Sequence, residues 1–306
     1  MEDARPGTLA SRRAQGILLG FLAYASWGLL SPVGKHLLGR FEPMGLNATR
    51  FVLATLVLLP FLGAAAVRDS FRLLARREVL WANLLANVSL SLFLYSLTTL
   101  PATYATLGFY TAPLWTAVLA MALLKERVGR WFLPAAAGLL AGGYLTLFGL
   151  AAPPAGFDAR GMALAVASGL VWAYYAVALR KAAPDIPLKP LMGASFVFGA
   201  LYFLLLALLL EGPPKLAGQD TGTWAWMALY VAVPTLASFI LFSAALQRAP
   251  ASTVNLLVGA ELGFTALFAS LLFGDAFTAV QVAGLALVLA SVTAYLALQA
   301  RKPAPA

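Results

Sequence analysis

Two segments of the chain, PATYATLGFYTAPLWTAVLAMALLKERVG (101–129) and PASTVNLLVGAELGFTALFASLLFGDAFT (250–278), align over their full length without a gap. Both begin with Pro-Ala and a hydroxyl residue, share a central Thr-Ala, and place an acid near the end, Glu126 in one and Asp275 in the other. Two hydrophobic helices can align by chance, but a shared acid at the same end makes chance a poor explanation. The pair therefore predicts that the chain contains an internal repeat.

The composition around this repeat is that of a membrane protein. Of the 306 residues, 61% are hydrophobic and only 11% are charged, and the mean hydropathy is +0.85. A soluble domain carries about a quarter charged residues, so this chain lacks the polar residues to cover itself in water. It has no cysteine and one histidine, which excludes disulfides, thiolate chemistry and multi-histidine metal sites. We therefore expect no metal and no cofactor.

A helix needs roughly 20 apolar residues to cross a bilayer. The sequence predicts ten such helices, at 16–36, 44–66, 79–99, 102–124, 131–150, 161–180, 190–210, 223–246, 252–273 and 277–299.

The repeat divides these helices into two sets of five, 16–150 and 160–299, with tails at 1–15 and 300–306. Because five is odd, the second set enters the membrane with the opposite orientation, the inverted arrangement of many secondary transporters. If the N-terminus is cytoplasmic, the cytoplasmic loops and tails hold 16 of the 21 Lys and Arg residues. The other side holds four, and Arg50 lies inside the second span. This bias predicts that both termini are cytoplasmic.

Several motifs, in the same order in both halves, resemble a known family. They are ASWG near the start, TRFVLATL in the second helix, Pro-Ala-Thr/Ser at the start of helices four and nine, and the pair APLWTAVLAMALLKER and AELGFTALFASLLFGD. Each half resembles an EamA domain, the unit of the drug/metabolite transporter superfamily. The resemblance implies an all-α integral membrane protein of ten transmembrane helices in two inverted five-helix EamA repeats. It also implies a central cavity, and export of small metabolites such as amino acids.

The sequence departs from the family pattern at three positions. Lys125 replaces the glycine that usually precedes Glu126, and Asp275 replaces a glutamate in the second half. The family's central Glu-Pro pair is split, with Ala112-Pro113 in one half and Glu261-Leu262 in the other.

Two charges lie well inside the predicted spans, Arg50 and Glu261. Such residues are functional candidates, since a charge at the helix centre costs roughly 2.5–3.5 kcal/mol to insert. Glu261 is a candidate proton carrier or an anchor for a cationic group of the substrate. The alternative is a protonated or hydrogen-bonded glutamate that joins two helices. Arg50 is predicted to be structural, either snorkelling to the surface or pairing with a backbone carbonyl.

Other polar and aromatic residues at middle depth are candidates for the substrate pathway. Trp and Tyr walls suit zwitterions with apolar side chains or organic cations, although mid-helix aromatics are also common in packing or facing lipid, and asparagines also form interhelical hydrogen bonds. The full set of pathway candidates is Tyr24, Trp27, Asn87, Tyr95, Tyr110, Trp172, Tyr175, Asn255 and Glu261.

GLLSPVGKH (28–36) superficially resembles a phosphate-binding loop. Five residues separate its glycines and no Ser or Thr follows the lysine, so the motif fails and no ATPase partner is expected. Pro32 and Gly34 instead predict either a broken outer end of helix one or an early helix end.

These observations predict a multi-pass protein of the cell inner (plasma) membrane that exports a small molecule by alternating access, with no nucleic-acid partner. The alternatives are a lipid-linked carrier flippase and a non-transporting membrane scaffold. A membrane enzyme is disfavoured because the spans hold no paired carboxylates, histidine cluster or nucleophile–base pair.

Overall fold

The computed structural model describes residues 6–100, 102–150, 158–182, 186–274 and 277–300. Asp275 and both chain ends lie outside this part. The described helices are α1 (Pro6–Trp27), α2 (Leu30–Leu38), α3 (Pro43–Leu62), α4 (Ala64–Leu74), α5 (Arg77–Thr99), α6 (Ala102–Phe109), α7 (Ala112–Leu124), α8 (Phe132–Phe148), α9 (Ala159–Ala182), α10 (Leu188–Leu210), α11 (Thr221–Val231), a π-helical turn (Ala232–Ala237), α12 (Ser238–Leu246), α13 (Ala251–Leu256), α14 (Val258–Phe273) and α15 (Ala279–Ala300).

Nine segments of the described chain are long and apolar enough to cross a membrane. They are Ser11–Leu38, Pro43–Leu62, Arg77–Ser96, Ala105–Leu124, Ala159–Ala182, Leu188–Leu210, Thr221–Leu246, Ala251–Leu272 and Ala279–Leu298.

The predicted fifth span corresponds to α8, which is apolar but has 17 residues, so the count of ten stays a prediction. The helix bounds differ from the predicted segments at two places. The tail predicted at 1–15 is already helical from Pro6, because proline suits a first helical position and the residues after it include good helix formers. The second span ends at Leu62, before Gly63 with its positive φ of 80°, and residues 64–66 belong to α4.

The packing of the helices follows the internal repeat. If each helix is replaced by its equivalent in the other half, each of the following packed pairs becomes another of them or remains the same pair. In the predicted numbering, helix one packs on eight (α1 on α12) and helix six packs on three (α9 on α5). Helices two and seven pack on each other (α3 and α10), as do five and ten (α8 and α15). Helix four packs on six (α6 and α7 on α9), and helix nine packs on one (α14 on α1). A pseudo-two-fold relation between the halves requires this pattern of partners.

Prolines interrupt several spans near their middle. A proline removes one backbone donor, so the carbonyl four residues earlier loses its partner. For Pro32 that residue is Gly28, and the first span breaks at Gly28–Leu29, between α1 and α2. For Pro113 it is Phe109, and the fourth span breaks at Tyr110–Thr111. The break predicted near Pro32 therefore exists, but one turn earlier, because Pro32 itself is accepted in the first turn of α2.

Pro234 produces a π-helical turn instead of a break. The carbonyl that it deprives of a partner is that of Tyr230, and the hydroxyl of Thr235 donates to this oxygen at 2.7 Å. The span therefore continues through Ala232–Ala237 with its polar groups paired. π-Turns of this kind are frequent at functional sites.

Glycines allow close contact at two of the breaks. A Cβ on Gly28 would lie 2.5 Å from the Cβ of Phe264 on α14, and a Cβ on Gly169 would lie 2.8 Å from the carbonyl oxygen of Phe109. Helix one thus packs on helix nine, and helix six on helix four, with backbone against backbone. These contacts set the wall positions of the cavity described next.

Candidate functional site

Two adjoining cavities lie among the broken helices. The central cavity, lined by Tyr24, Trp27, Trp172 and Glu261, has a volume of about 50 Å³. The Lys35 cavity, lined by Lys35 and Asn47, has about 220 Å³. The two are adjacent because they share wall residues: Leu30, Ser31, Arg50, Leu90, Phe93 and Thr106.

Aromatic rings from both halves form one wall of the central cavity. The rings of Trp27 and Trp172 meet edge to face with centroids 5.5 Å apart, and Tyr24 lies 5.2 Å from Trp27 in the same manner. Phe239, beside the π-turn, contacts Trp27 at 5.5 Å. Such edge-to-face pairs fix ring orientation beyond simple packing. The wall is therefore a defined surface for a ligand.

Asn255 holds this wall in place from behind. Its side-chain oxygen accepts a hydrogen bond from the hydroxyl of Tyr24 at 2.9 Å and another from the indole N–H of Trp172 at 3.1 Å. Asn255 is 1% exposed and its amide nitrogen donates to the carbonyl of Ala251 at 3.3 Å. One amide thus joins helices one, six and nine. Of its two predicted roles, interhelical hydrogen bonding is the one found.

Glu261 projects into the central cavity from α14 and is partly buried. Within the described part of the chain its carboxyl group has no hydrogen-bond or ion-pair partner, and it interacts electrostatically with Tyr24 and Tyr110. The alternative role, a glutamate bonded to a neighbouring helix, is not the arrangement present. An acid in an aromatic cavity without a fixed partner is available to a proton or a cationic ligand.

Arg50, on α3, lines both cavities and is 2% exposed. Its guanidinium lies 5.0 Å from the ring centre of Phe51 and 5.1 Å from that of Tyr230. Its Nε has no hydrogen-bond acceptor among the described residues. The predicted snorkelling to the surface does not occur, because the rings hold the group at the cavity wall.

The remaining predicted residues are distributed around this site. Tyr110 is buried behind the wall, 1% exposed. Asn87 and Tyr175 line a small cavity beside α10 that shares Leu90 and Phe239 with the central cavity, and Asn87 donates to the carbonyl of Asn83 at 2.7 Å. Tyr95 is 38% exposed and is not among the described residues that line either main cavity. Its position follows Phe93 by two residues, which turns it about 200° around α5 from the cavity face.

Sequence analysis missed the hydroxyl groups that line the site. Ser31 and Thr106 lie where the two cavities join, and Ser89 lines the central cavity. Ser31 precedes the proline that interrupts helix one and follows Gly28, whose carbonyl is freed, by three residues. This position is the signal that identifies Ser31. Ser89 and Thr106 carry no comparable signal, because single hydroxyl residues are common in membrane helices.

The end of the molecule away from Lys35 is closed by polar contacts. The carboxylate of Glu126 accepts from the backbone N–H of Ala251 at 3.1 Å and from the hydroxyl of Ser252 at 3.0 Å. A carboxylate at a helix start is favourable because it meets unpaired N–H groups and the positive end of the dipole. Arg180 donates to the carbonyl of Leu246 at 2.6 Å. We call this side the Glu126 end.

Comparisons with known proteins agree with this architecture. The model of the EamA-like transporter family matches residues 14–148 and 159–297, so both halves match the same family and the predicted repeat is confirmed. The chain is 27% identical over 278 residues to the threonine/homoserine exporter RhtA of Salmonella typhimurium (strain SL1344), covering 90% of this chain and 89% of that protein. The RhtA protein of Escherichia coli (strain K12) is 27% identical over 283 residues with the same coverage.

An uncharacterized transporter of Pseudomonas aeruginosa (strain PAO1) is 29% identical over 272 residues, covering 85% of this chain and 86% of that protein. A crystal structure of a protein with 21% identity superposes with a TM-score of 0.78, covering 94% of this chain and 98% of that chain. This last likeness concerns the fold alone.

Proposed function

The chain belongs to the EamA-like transporter family, and from this membership we propose that it is a secondary transporter that exports small organic molecules by alternating access. Amino acids and molecules of similar size are the proposed substrates, a suggestion supported by the similarity to RhtA exporters. The observation that most supports the proposal is the central cavity, to which Trp27 of one half and Trp172 of the other both contribute. Substrate sites at the repeat interface are typical of transporters built from inverted repeats.

The closed Glu126 end supports one step of this cycle. With that end held by Glu126 and Arg180, the larger of the two described cavities that adjoin the central one is the Lys35 cavity, about 220 Å³ against about 10 Å³ for the cavity lined by Asn87. The charge bias of the loops predicts that the Lys35 side is extracytoplasmic. We infer that this conformation is the outward-facing one, from which an exported substrate leaves. Rocking of the repeats would separate the Glu126 contacts and admit substrate from the cytoplasm.

Proton coupling is proposed for Glu261. The group lines the cavity without a fixed partner, and the titratable or charged groups around it are Tyr24, Tyr110 and Arg50. A carboxyl group that is reachable from the cavity can take up and release a proton as access alternates. This role agrees with its occurrence in one half only, since the equivalent position in the other half is Ala112.

The test is counterflow in liposomes. Purified protein would first be screened by thermal shift against amino acids, nucleosides and organic cations, and each stabilising compound would then be tested in radiolabelled form. We expect accumulation of label in liposomes preloaded with the unlabelled compound and none in protein-free liposomes. Binding of a compound without counterflow of any compound would contradict the transport proposal.

A lipid-linked carrier flippase is the second candidate. A surface groove between α5 and α9, lined by Arg77, Trp81, Tyr174 and Lys181, has the basic and aromatic groups that such an activity needs near headgroups. The described residues that line this groove include none of those that line the central cavity, so the groove is not a lateral opening of that cavity. This separation favours small-molecule transport over lipid transport. A scrambling assay with fluorescent lipid distinguishes the two, because only a flippase would exchange lipid between leaflets.

A further inference from the structure

Two opposite charges face the central cavity without meeting. Arg50 and Glu261 both line it, and in the part of the chain that the structure describes neither forms an ion pair. Buried charges without partners are costly, and a ligand of complementary charge removes that cost. Resting on the transporter function proposed above, we propose that Arg50 and Glu261 bind the two ends of a zwitterionic substrate. Arg50 binds its carboxylate and Glu261 its ammonium group.

The Arg50 end offers donors that lack acceptors. Asn47 and Arg50 are three residues apart on α3, so they share one face of the helix, and both line the Lys35 cavity. Each is 2% exposed, and the Nδ2 of Asn47 and the Nε of Arg50 have no hydrogen-bond partner among the described residues. A planar carboxylate matches such a set of donors, because guanidinium groups bind carboxylates through parallel hydrogen bonds.

The rings beside Arg50 leave part of its hydrogen-bonding capacity open. Phe51 and Tyr230 attract the guanidinium through their faces, at 5.0 and 5.1 Å. Ring faces offset part of the cost of burying the charge, but they do not pair the N–H groups in its plane. The hydroxyl of Tyr230 also interacts with the guanidinium, but the Nε–H group has no acceptor among the described residues and remains available to a ligand.

The Glu261 end suits a cation. Its carboxylate is an acceptor, and the neighbouring cavity wall consists of Tyr24, Trp27 and Trp172. Aromatic faces attract ammonium groups and repel anions. The proton-carrying role proposed above is compatible with this contact, because a proton and an ammonium group would occupy the carboxylate at different steps.

The two charges come from different halves of the chain, Arg50 from the first and Glu261 from the second. A molecule that joins them therefore bridges the two repeats, and its side chain meets the apolar surfaces of Phe93, Phe109 and Phe239 between them. A substrate with only one charge would leave the other cavity charge unpaired. This difference makes the zwitterion the preferred chemical class.

The proposal can be tested on the full-length protein without any substitution. The probes are L-threonine, L-leucine and L-phenylalanine, each also as its amide, which lacks the anionic end, and as its N-acetyl derivative, which lacks the cationic end. Affinities would be measured by thermal shift in detergent. We expect the best free amino acid to bind about tenfold or more tightly than either of its derivatives, as expected for loss of one charged hydrogen bond.

Two variants assign each end. Arg50→Gln should weaken binding of the free amino acid to the level of its amide and leave the amide unchanged. Glu261→Gln should lower the affinity for the free amino acid to the level of its N-acetyl derivative and leave the affinity for that derivative unchanged. Arg248→Gln is the matched control, because Arg248 donates to the carbonyl of Ala244 at 2.7 Å and lies outside the described walls of both cavities. If Arg50→Gln does not fold, Arg50→Lys should keep the preference for a carboxylate with affinity lowered several-fold.

Equal affinity for the three forms, no binding of any free amino acid, or variants that weaken all three forms alike would overturn the proposal. Counterflow of any solute by the wild-type protein separates this failure from failure of the transport function. Transport without a preference for zwitterions refutes only the two-ended recognition. A zwitterion preference with the expected variant pattern but no transport refutes only the transport function.

Discussion

At the scale of single residues, Asn255 determines the position of the cavity wall. Its one oxygen accepts from both Tyr24 and Trp172, whose side chains come from different halves of the chain. The residue is buried and contacts no solvent, so its contribution is to orientation. Orientation of the two rings determines which ligand shapes the cavity accepts.

Replacing Asn255 with leucine should lower stability by about 1–3 kcal/mol, because two buried donors would lose their acceptor. Tyr24→Phe removes only one of the two bonds and should cost less than half as much. Thermal unfolding in detergent, with tryptophan fluorescence as the signal, measures both. An equal cost for the two variants would show that the shared oxygen is not the important contact.

Glu261→Gln should remove the response of transport to a pH gradient while leaving the fold intact, since glutamine is close in shape and cannot exchange a proton. Counterflow and gradient-driven uptake would be compared at several pH values in proteoliposomes. Glu78→Gln, an exposed glutamate of the α5–α9 groove, is the control and should keep the wild-type profile. A wild-type profile in the Glu261 variant would exclude the coupling role.

Sequence predicted the site residues unevenly, for reasons visible in particular side chains. Glu261, Trp27 and Trp172 were identified because a charge or a pair of equivalent tryptophans at middle depth is conspicuous. Arg50 is predicted to be structural, since one sequence does not show that its guanidinium lines the same cavity as Glu261. Tyr95 was placed in the pathway from depth alone, and depth does not specify which face of a helix a residue occupies.

At the scale of elements, the membrane spans can be predicted from the sequence, but the breaks within them can be predicted only in part. Apolar length identifies a spanning segment, so nine of the predicted spans recur among the described helices. A proline indicates that a carbonyl four residues earlier is free, but two different outcomes follow here. Pro32 and Pro113 accompany breaks, whereas Thr235 repairs the vacancy left by Pro234. Ser31, Thr111 and Thr235 each lie within two residues of one of these prolines, so the sequence alone does not show which hydroxyl reaches the freed carbonyl.

Gly28→Ala should separate the break in helix one from α14. The added Cβ would lie 2.5 Å from the Cβ of Phe264 and 2.9 Å from its backbone carbon, which a rigid helix cannot accommodate. We expect a loss of about 1–3 kcal/mol in stability, typical of overpacking, with reduced transport. Thermal unfolding and counterflow measure the two effects.

Gly39→Ala, at the residue that follows the same span, is the matched control. Its Cβ would meet only the carbonyl oxygen of His36, at 3.5 Å, which is ordinary contact. This variant should unfold and transport like the wild type. Similar losses in both variants would indicate that helix flexibility, not the close packing at Gly28, is responsible.

At the scale of the whole molecule, the contacts at the Glu126 end hold the two halves of the chain together on one side. Glu126 lies after α7 and binds the start of α13, so it joins the helices that the internal repeat makes equivalent. The contact closes the Glu126 end and leaves the Lys35 cavity in place at the other end of the molecule. On the proposed alternating-access mechanism, a change in this contact would bias the equilibrium between the two conformations.

Glu126→Gln should shift the protein away from the conformation described here, because a neutral amide binds the helix start less strongly than a carboxylate. The chain has no cysteine, so a single Ser31→Cys reports accessibility of the cavity without background labelling. We expect a membrane-impermeant thiol reagent added at the Lys35 side to label Cys at this position more slowly once Glu126 is replaced.

Glu42→Gln serves as the control for the labelling experiment. Glu42 forms an exposed ion pair with Lys215 at 3.4 Å, and exposed pairs contribute little. Its replacement should leave the labelling rate unchanged. Faster labelling in the Glu126 variant would mean that its contacts do not hold the Glu126 end closed.

The opposite charges on the cavity wall have an electrical consequence. The charges of Arg50 and Glu261 sum to zero, and a zwitterion held between them adds no net charge. A membrane potential acts on net displaced charge with about 2.3 kcal/mol per elementary charge per 100 mV. On the proposed mechanism, the substrate itself is therefore insensitive to voltage. Any current measured during turnover would count only the protons that move with the substrate, and the current divided by the substrate flux would give the coupling ratio.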